Sequence, residues 1–410
     1  MKKLFTLMLT VVMALTCCVG LTACGGKDDD KVAALICLHG EGSSYDKNFI
    51  DAFRAACKAK GLTEDQYTIV VDIDEDVEAY DKAAEFADAG YKAVFADSFG
   101  HEQYLIRAAK EFPNTQFCHA TGTNGGFLNT ADTTDEAPAN FHNAFASIYE
   151  GRYLAGVAAG LKLKELYGET VSNDNAKIGY VGAWPFAEVI SGLTSFYLGV
   201  KSEVPNATME VRFTNSWYDP SAEQTAAEAL IQNGAKLVSG HADSYGVPTA
   251  CKNANIPNVF YNGTTSEAQF VIASKINWQP YFEHMLDGVM KEGASIQKDY
   301  CGTLANGSVQ ITALGPAAAA GTQAKLDAVK AQLIAGEIKV FDVSTFTVDG
   351  QTLTSYLADV VDDGTFTPET NVIKTEGGIT YFAESAFRSA PYFDIFIDGI
   401  TRGADVVTPA

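Results

Sequence analysis

Basic side chains are scarce in this 410-residue chain: 29 lysines and arginines stand against 51 aspartates and glutamates, a formal charge of −22. So acidic a surface repels phosphate backbones and anionic headgroups, which excludes nucleic acid and acidic lipid as partners. No Cys-x-x-Cys and no His-Glu-x-x-His occurs, and the six histidines are scattered. No zinc site, disulfide framework or cofactor is therefore expected. Nucleophile elbows (Gly-x-Ser-x-Gly), P-loops and Gly-x-Gly-x-x-Gly turns are also missing, so the sequence offers no signature of a hydrolase or of nucleotide-dependent chemistry. Beyond residue 24 no uncharged apolar run approaches the roughly 18 residues that a membrane span needs.

The one long apolar run is at the start. Lys2 and Lys3 precede an apolar stretch over 4–20, too short and wrongly flanked for a span, and it reads as an export signal. Leu21-Thr22-Ala23-Cys24 follows and resembles the lipobox of bacterial lipoproteins. That resemblance implies cleavage of residues 1–23, diacylation of Cys24, and a location on the extracytoplasmic face of a membrane, held by lipid alone. An ordinary secretory signal with a chance cysteine is the competing reading. Gly25-Gly26-Lys27-Asp28-Asp29-Asp30-Lys31 is charged and flexible in composition, so 24–31 reads as a lipidated tether.

The rest of the chain is longer than one hydrophobic core usually serves, and its apolar share of 47% supports more than one. Cys37, Cys57, Cys118, Cys251 and Cys301 are odd in number and dispersed, which points to buried free thiols. Strand-like runs at 32–38, 67–73, 92–96 and 115–119 alternate with helical patterns at 48–60, 77–88 and 101–111. The alternation restarts at 177–181, with strands at 209–214, 236–239 and 258–261. Even letters repeat: Asp97-Ser98-Phe99-Gly100 after the third strand of one half is echoed by Asp243-Ser244-Tyr245-Gly246 in the other. The expected fold is α/β, with two doubly wound parallel-sheet lobes, and ligands in such sheets bind beyond the carboxyl ends of the strands. Both Asp-Ser-aromatic turns are therefore expected to face one cleft.

In the middle of the chain, Glu150-Gly151-Arg152-Tyr153-Leu154-Ala155-Gly156 resembles the signature helix of the basic membrane protein family, the purine- and nucleoside-binding lipoproteins of ABC importers. Lys177-Ile178-Gly179-Tyr180-Val181-Gly182, Asn215-Ser216-Trp217-Tyr218-Asp219-Pro220 and His241-Ala242-Asp243-Ser244 follow in the family's order. Asp46-Lys47-Asn48-Phe49, His119-Ala120-Thr121-Gly122 and Asn277-Trp278-Gln279-Pro280-Tyr281 add to it, and the resemblance spans 32–345. It implies a type I solute-binding protein of Venus-flytrap architecture: lobe one at 32–146 with a return at 270–308, lobe two at 147–269 with a return at 309–345. Hinge strands are expected near 143–147, 262–273 and 309–314, closing a monomeric protein around a purine base or nucleoside for delivery to an ABC permease and its ATPase. Residues 346–410 lie outside the resemblance and read as an extension packed on a lobe, with 346–357 alternating like a hairpin around Asp349-Gly350.

A flat base needs two aromatic faces and polar groups at its edge. Trp217, after a strand end, and Phe99, at the matching exit of the first half, are the expected faces; Tyr45 and Phe49 compete for the second, and Phe49 fits a helix core equally well. Asp243 is the expected acceptor at the base edge, with helix capping as its plainer role, and Asp97, Ser98 and Asp46 carry the same ambiguity. In nucleoside-binding members of the family an Asp and a Lys hold the ribose. This chain has Asn262 at the first position and Asn277 at the second, unless Lys275 is in register, which favours a free base over a nucleoside.

Two other classes compete. Leu38-His39-Gly40-Glu41-Gly42 resembles the oxyanion segment of α/β-hydrolases, and Ser-x-x-Lys occurs at 44–47 and 295–298, but the companion elements are missing, so no enzyme is expected. A sensory receptor of the same fold, presenting ligand to a membrane signalling partner, is indistinguishable from a transporter component at this level.

Overall fold

The structure, a computed structural model, describes residues 31–122, 138–360 and 367–406. The signal segment, Cys24 and the tether up to residue 30 lie outside the described residues. Strands β1 (Ala33–Ile36), β2 (Tyr67–Val70), β3 (Ala93–Ala96), β4 (Gln116–Ala120) and β5 (Phe141–Ala146) alternate with helices α1 (Ser44–Ala59), α2 (Val77–Asp88) and α3 (Glu102–Glu111) up to β4. After α4 (Ile148–Tyr167) the pattern repeats as β6 (Lys177–Gly182), α5 (Ala187–Glu203), β7 (Thr208–Phe213), α6 (Pro220–Gln232), β8 (Val238–His241), α7 (Gly246–Ala254), β9 (Asn258–Tyr261) and β10 (Phe270–Ile276). Next come α8 (Gln279–Met290), β11 (Asp299–Gly302), β12 (Val309–Ile311) and α9 (Thr322–Ile334). Five short strands end the chain: β13 (Leu357–Ala358), β14 (Thr370–Asn371), β15 (Ile373–Glu376), β16 (Ile379–Phe382) and β17 (Ile400–Arg402).

Two sheets result. One runs β2-β1-β3-β4-β5-β11 with every pairing parallel; the other runs β17-β7-β6-β8-β9-β10-β12, with only β12 antiparallel. The doubled α/β plan read from the sequence is thus present, and the second order copies the first except that β12 runs antiparallel where β11 is parallel and β17 is added at the far edge. Strands such as Ala33–Ile36 and Ala93–Ala96 are buried at all four positions, as parallel strands covered by helices on both faces must be. Local chemistry starts the helices where expected. Ser43 accepts from the Asp46 N–H at the head of α1, and Asp219 accepts from Ser221 and Ala222 ahead of Pro220 in the first position of α6.

Among the described residues up to β12 the chain passes between the sheets three times: between β5 and α4, between β10 and α8, and between β11 and β12. Helix α4 packs on α5 and β10, and α8 packs on α1. The segment 262–273 is not a crossing, because it runs from β9 into β10 and both strands pair in the seven-stranded sheet. By the same pairing residues 270–276 stay with the second sheet, and the return to the first begins after Ile276. Helices α4 and α5 touch backbone to backbone: a methyl on Gly156 would lie 2.1 Å from the Phe196 carbonyl, and one on Gly199 would lie 2.1 Å from that of Tyr153.

The C-terminal segment is more than a cover for one sheet. β17 extends the second sheet beside β7, while Ser389 donates its N–H to Asp299 of β11 at 2.7 Å and accepts from Asn143 of β5 at 3.1 Å, both in the first sheet. Phe341 stacks on Phe393 at 4.3 Å, which anchors the intervening loops. The turn expected at Asp349-Gly350 forms, with both residues at positive φ (51° and 73°), but its pairing is a single bridge, Val348 to Gln351. Among the described residues no helix is long and apolar enough to cross a membrane.

Two outcomes follow. Gly156→Ala should cost about 1–3 kcal/mol by wedging α4 from α5, read as a lower denaturation midpoint. Glu384 is buried beside Ser191, and burial pushes its carboxyl up from 4.5 to about 7. Between those values the folded state holds the proton more tightly than the unfolded state, so its ionisation lowers stability as pH rises. The melting temperature of Glu384→Gln relative to the parent should therefore climb from pH 4.5 to about 7 and level off; a constant offset would show that the carboxyl is not buried in this way.

Candidate binding cleft

Between the carboxyl ends of the two sheets lies a narrow slot, whose empty space of about 380 Å³ includes volume open to solvent. The first half contributes Leu38, Tyr45, Asp46, Ser98, Phe99 and Thr121; the second contributes Glu188, Trp217, His241, Asp243 and Tyr261. Each sits at a strand exit or in the first turn of the following helix. The surface is mostly apolar, so the few polar atoms in it are placed against a dry background. Thr121 holds φ at 66°, unusual for a β-branched residue, and Asn215, two before Trp217, sits at 53°.

The halves touch around this slot. The Ser44 N–H and hydroxyl both donate to the Asp243 carbonyl, at 2.9 and 3.2 Å, and the Asn48 amide donates to that of Ile276 at 2.6 Å. His39 meets Tyr218 at 5.3 Å, and Phe99 meets Phe186 at 5.9 Å. Phe186 in turn stacks on Trp184 and tilts against Trp217, so the rim is a run of aromatic rings.

The carboxyls are set deep. Asp46 accepts from the His39 N–H at 2.7 Å, and Asp97 accepts from the Leu38 N–H at 3.1 Å. Burial raises both acids, Asp97 further because Asp46 stands beside it. With the Cys37 thiol they form a buried trio whose polar atoms lie within 4.8 Å of one another, the one such metal-compatible group among the described residues. Burial and the neighbouring acids also raise Cys37, which keeps the thiol protonated. Asp243 is raised well above the usual carboxylate range by burial and then by Asp46, Glu223 and Glu188. Its capping role falls to Ser244, whose hydroxyl accepts from the Gly246 N–H at 3.1 Å.

Of the residues named from sequence, Trp217, Phe99, Asp243, Tyr45, Asp46 and Ser98 line the slot. Phe49 does not: it is fully buried, stacked on Trp278 at 4.4 Å and packed on Tyr45, and belongs to the core. Asp97 lies one layer behind Asp46, fixing Leu38 and receiving the Tyr45 hydroxyl on its carbonyl at 2.8 Å. Asn262 and Asn277 line a separate polar cavity with Lys275 and Tyr245, and the Ser44–Asp243 contact is the partition between the two. The echoed turns thus part company, Phe99 facing the slot and Tyr245 the second cavity. Glu188, His241 and Tyr261 were not singled out. Glu188 stands in the first turn of α5, as Asp46 does in that of α1, so the repeat carried a signal had it been followed to the first strand of each half.

Two copied α/β units with a slot between their strand ends define the type I periplasmic-binding-protein fold. A solved ABC transporter solute-binding protein from Conexibacter woesei has this fold, with a TM-score of 0.58 at 22% identity, covering 75% of this chain and 97% of that one. The chain belongs to the PnrA-like family of ABC transporter substrate-binding proteins, matched over residues 32–343. That family consists of substrate-binding proteins rather than enzymes. A purine-binding protein of Brucella abortus is 36% identical over 177 residues, 43% of this chain and 44% of that protein. A protein of Haloferax volcanii named as an ABC transporter glucose-binding protein is 28% identical over 265 residues, 64% of this chain and 62% of that one. Each match spans less than two thirds of the relative's own length.

Phe49→Ala should cost about 3–5 kcal/mol of stability, as for a large core ring, whereas Trp217→Ala should leave the denaturation midpoint nearly unchanged. Equal losses would mean that Trp217 is core.

Proposed function

We propose that the chain is an extracytoplasmic lipoprotein, anchored through Cys24, that captures a free purine base in the slot and presents it to an ABC permease. One observation carries the ligand class: Phe99 and Trp217 reach one small, mainly apolar slot from opposite halves, with Asp46, Asp243 and Glu188 at its polar positions. A heteroaromatic base has two faces to stack and N–H and ring-nitrogen groups at its edge, and aromatic stacking contributes about 1–3 kcal/mol per base. The purine-binding name of the Brucella relative points the same way. A free base is favoured over a nucleoside because Asn262, Asn277 and Lys275 lie beyond the Ser44–Asp243 partition, outside the slot. In this reading the lobes are 32–146 with 277–302 and 148–276 with the segment after 308, and the three crossings serve as hinges for closure over ligand.

Glucose is the competing ligand on the name of the Haloferax relative, since sugars also stack on aromatic rings and bond to carboxylates. Calorimetry with adenine, guanine, hypoxanthine, adenosine and glucose decides between them. Bases should bind tightest; tighter adenosine overturns the free-base reading, and glucose alone overturns the purine reading. Trp217→Ala should weaken base binding about tenfold or more.

A further inference from the structure

One acid in the slot has a buried cation behind it. Glu188 lines the slot with its Oε1 3.4 Å from His241 Nε2. His241 is buried with its ring 4.6 Å from that of Tyr261, and its other nitrogen, Nδ1, has no hydrogen-bond partner. That nitrogen and the Arg152 Nε converge on Gly192: a methyl there would lie 2.9 Å from the first and 3.5 Å from the second. Arg152, from α4, is only 1% exposed. Its guanidinium lies 3.5 Å over the Tyr261 ring and donates through Nη1 to the Gly240 carbonyl at 3.0 Å, while Nε and Nη2 lack partners.

A guanidinium keeps its charge in any protein interior, and a buried cation requires an anion nearby. Burial pushes Glu188 up to about 7, and the Arg152 charge opposes that rise. Burial, and then the same charge, holds His241 well below the ordinary imidazole value, so it is neutral. A neutral ring turning Nδ1 towards a guanidinium carries its proton on Nε2 and aims it at Glu188. The acid is then left to accept hydrogen bonds from whatever fills the slot.

We propose that Glu188, oriented by Arg152 through His241, determines which purine the slot prefers, favouring a base with two adjacent N–H donors, as in guanine, over adenine. This rests on the purine reading above. A carboxylate offers two parallel acceptors, which match the N1–H and exocyclic N–H of guanine; hypoxanthine offers one such donor. Adenine would set its N1 lone pair against a carboxylate oxygen. A protonated Glu188 reverses the match, donating to adenine N1 while accepting from its amino group. The titratable or charged groups around Glu188 are Arg152, His241, Asp243, Tyr45, Tyr180 and Tyr261. Arg152 alone among them is positive, so removing it should raise the pH at which the preference changes.

The test is competition calorimetry on the full exported chain with guanine, hypoxanthine and adenine from pH 5 to 8. At pH 8 the order should be guanine, hypoxanthine, adenine, with adenine gaining as pH falls. Glu188→Gln keeps the shape but offers one donor and one acceptor. It should lower the guanine-to-adenine affinity ratio at least tenfold and remove its pH dependence. Arg152→Met and His241→Asn should each move the midpoint of the ratio upward in pH, an effect that mere loosening of the fold does not produce. Should Arg152→Met fail to fold, the parent's pH profile and Glu188→Gln still decide. A ratio that Glu188→Gln leaves unchanged overturns the inference while the purine reading stands; a parent that takes no purine overturns both.

Discussion

The structure around the slot is governed by a shortage of positive charge in a dry place. Asp46, Asp97, Asp243 and Glu188 crowd the strand exits, while Arg152 is the only lysine or arginine in the buried class among the described residues. Like charges a few ångströms apart in a poorly screened interior repel by several kcal/mol each, so these acids cannot all ionise together. Protons stay on some of them, and backbone N–H groups of Leu38 and His39 supply part of what a counter-ion would otherwise provide. The outcome is a polar wall that carries both donors and acceptors and little net charge. Such a wall complements a neutral heterocycle better than it complements an ion.

The fold creates that crowding by doubling. Each sheet brings its central strands to the same end, and each sends its first-turn acid, Asp46 from α1 and Glu188 from α5, towards the seam. Contacts such as Ser44 to Asp243 then seal the seam by pairing polar groups that would be exposed if the halves parted. The C-terminal segment reinforces this from outside, because β17 belongs to one sheet and Ser389 bonds into the other. This tie between the halves lies in a part of the chain that the PnrA-like match at 32–343 does not include.

Much of this was legible in the sequence, for physical reasons that differ by element. Buried parallel strands are apolar throughout and helices are periodic, so the two α/β series and their order stand out without any contact information. Trp217 and Asp243 were legible as slot-lining residues because strand exits in such sheets face the crevice between the halves, and Asp46 because it lies in the family-like run Asp46-Lys47-Asn48-Phe49. Phe49 was not decidable: an aromatic in the first turns of an amphipathic helix can face either way, and the rings that cover it, Phe95, Trp278 and Phe282, come from distant parts of the chain. One of the three crossing points was misplaced, at 262–273, because the membership of β10 depends on its register with β9 and β12 and not on its own letters. Arg152 hid inside the signature helix, where a basic residue ordinarily means a solvated face.

That helix also shows why the cation can be buried at all. Gly156 and Gly199 let α4 and α5 meet at backbone distance. The Arg152 stem runs inward, and its head comes to rest on the Tyr261 ring and the Gly240 carbonyl. Gly192 completes the arrangement by having no side chain where His241 and Arg152 converge; any Cβ there would press on His241 Nδ1 at 2.9 Å. Glycines at 156 and 199 thus bring the two helices together, and the one at 192 makes room for the buried pair of His241 and Arg152, of which His241 Nε2 lies 3.4 Å from Glu188.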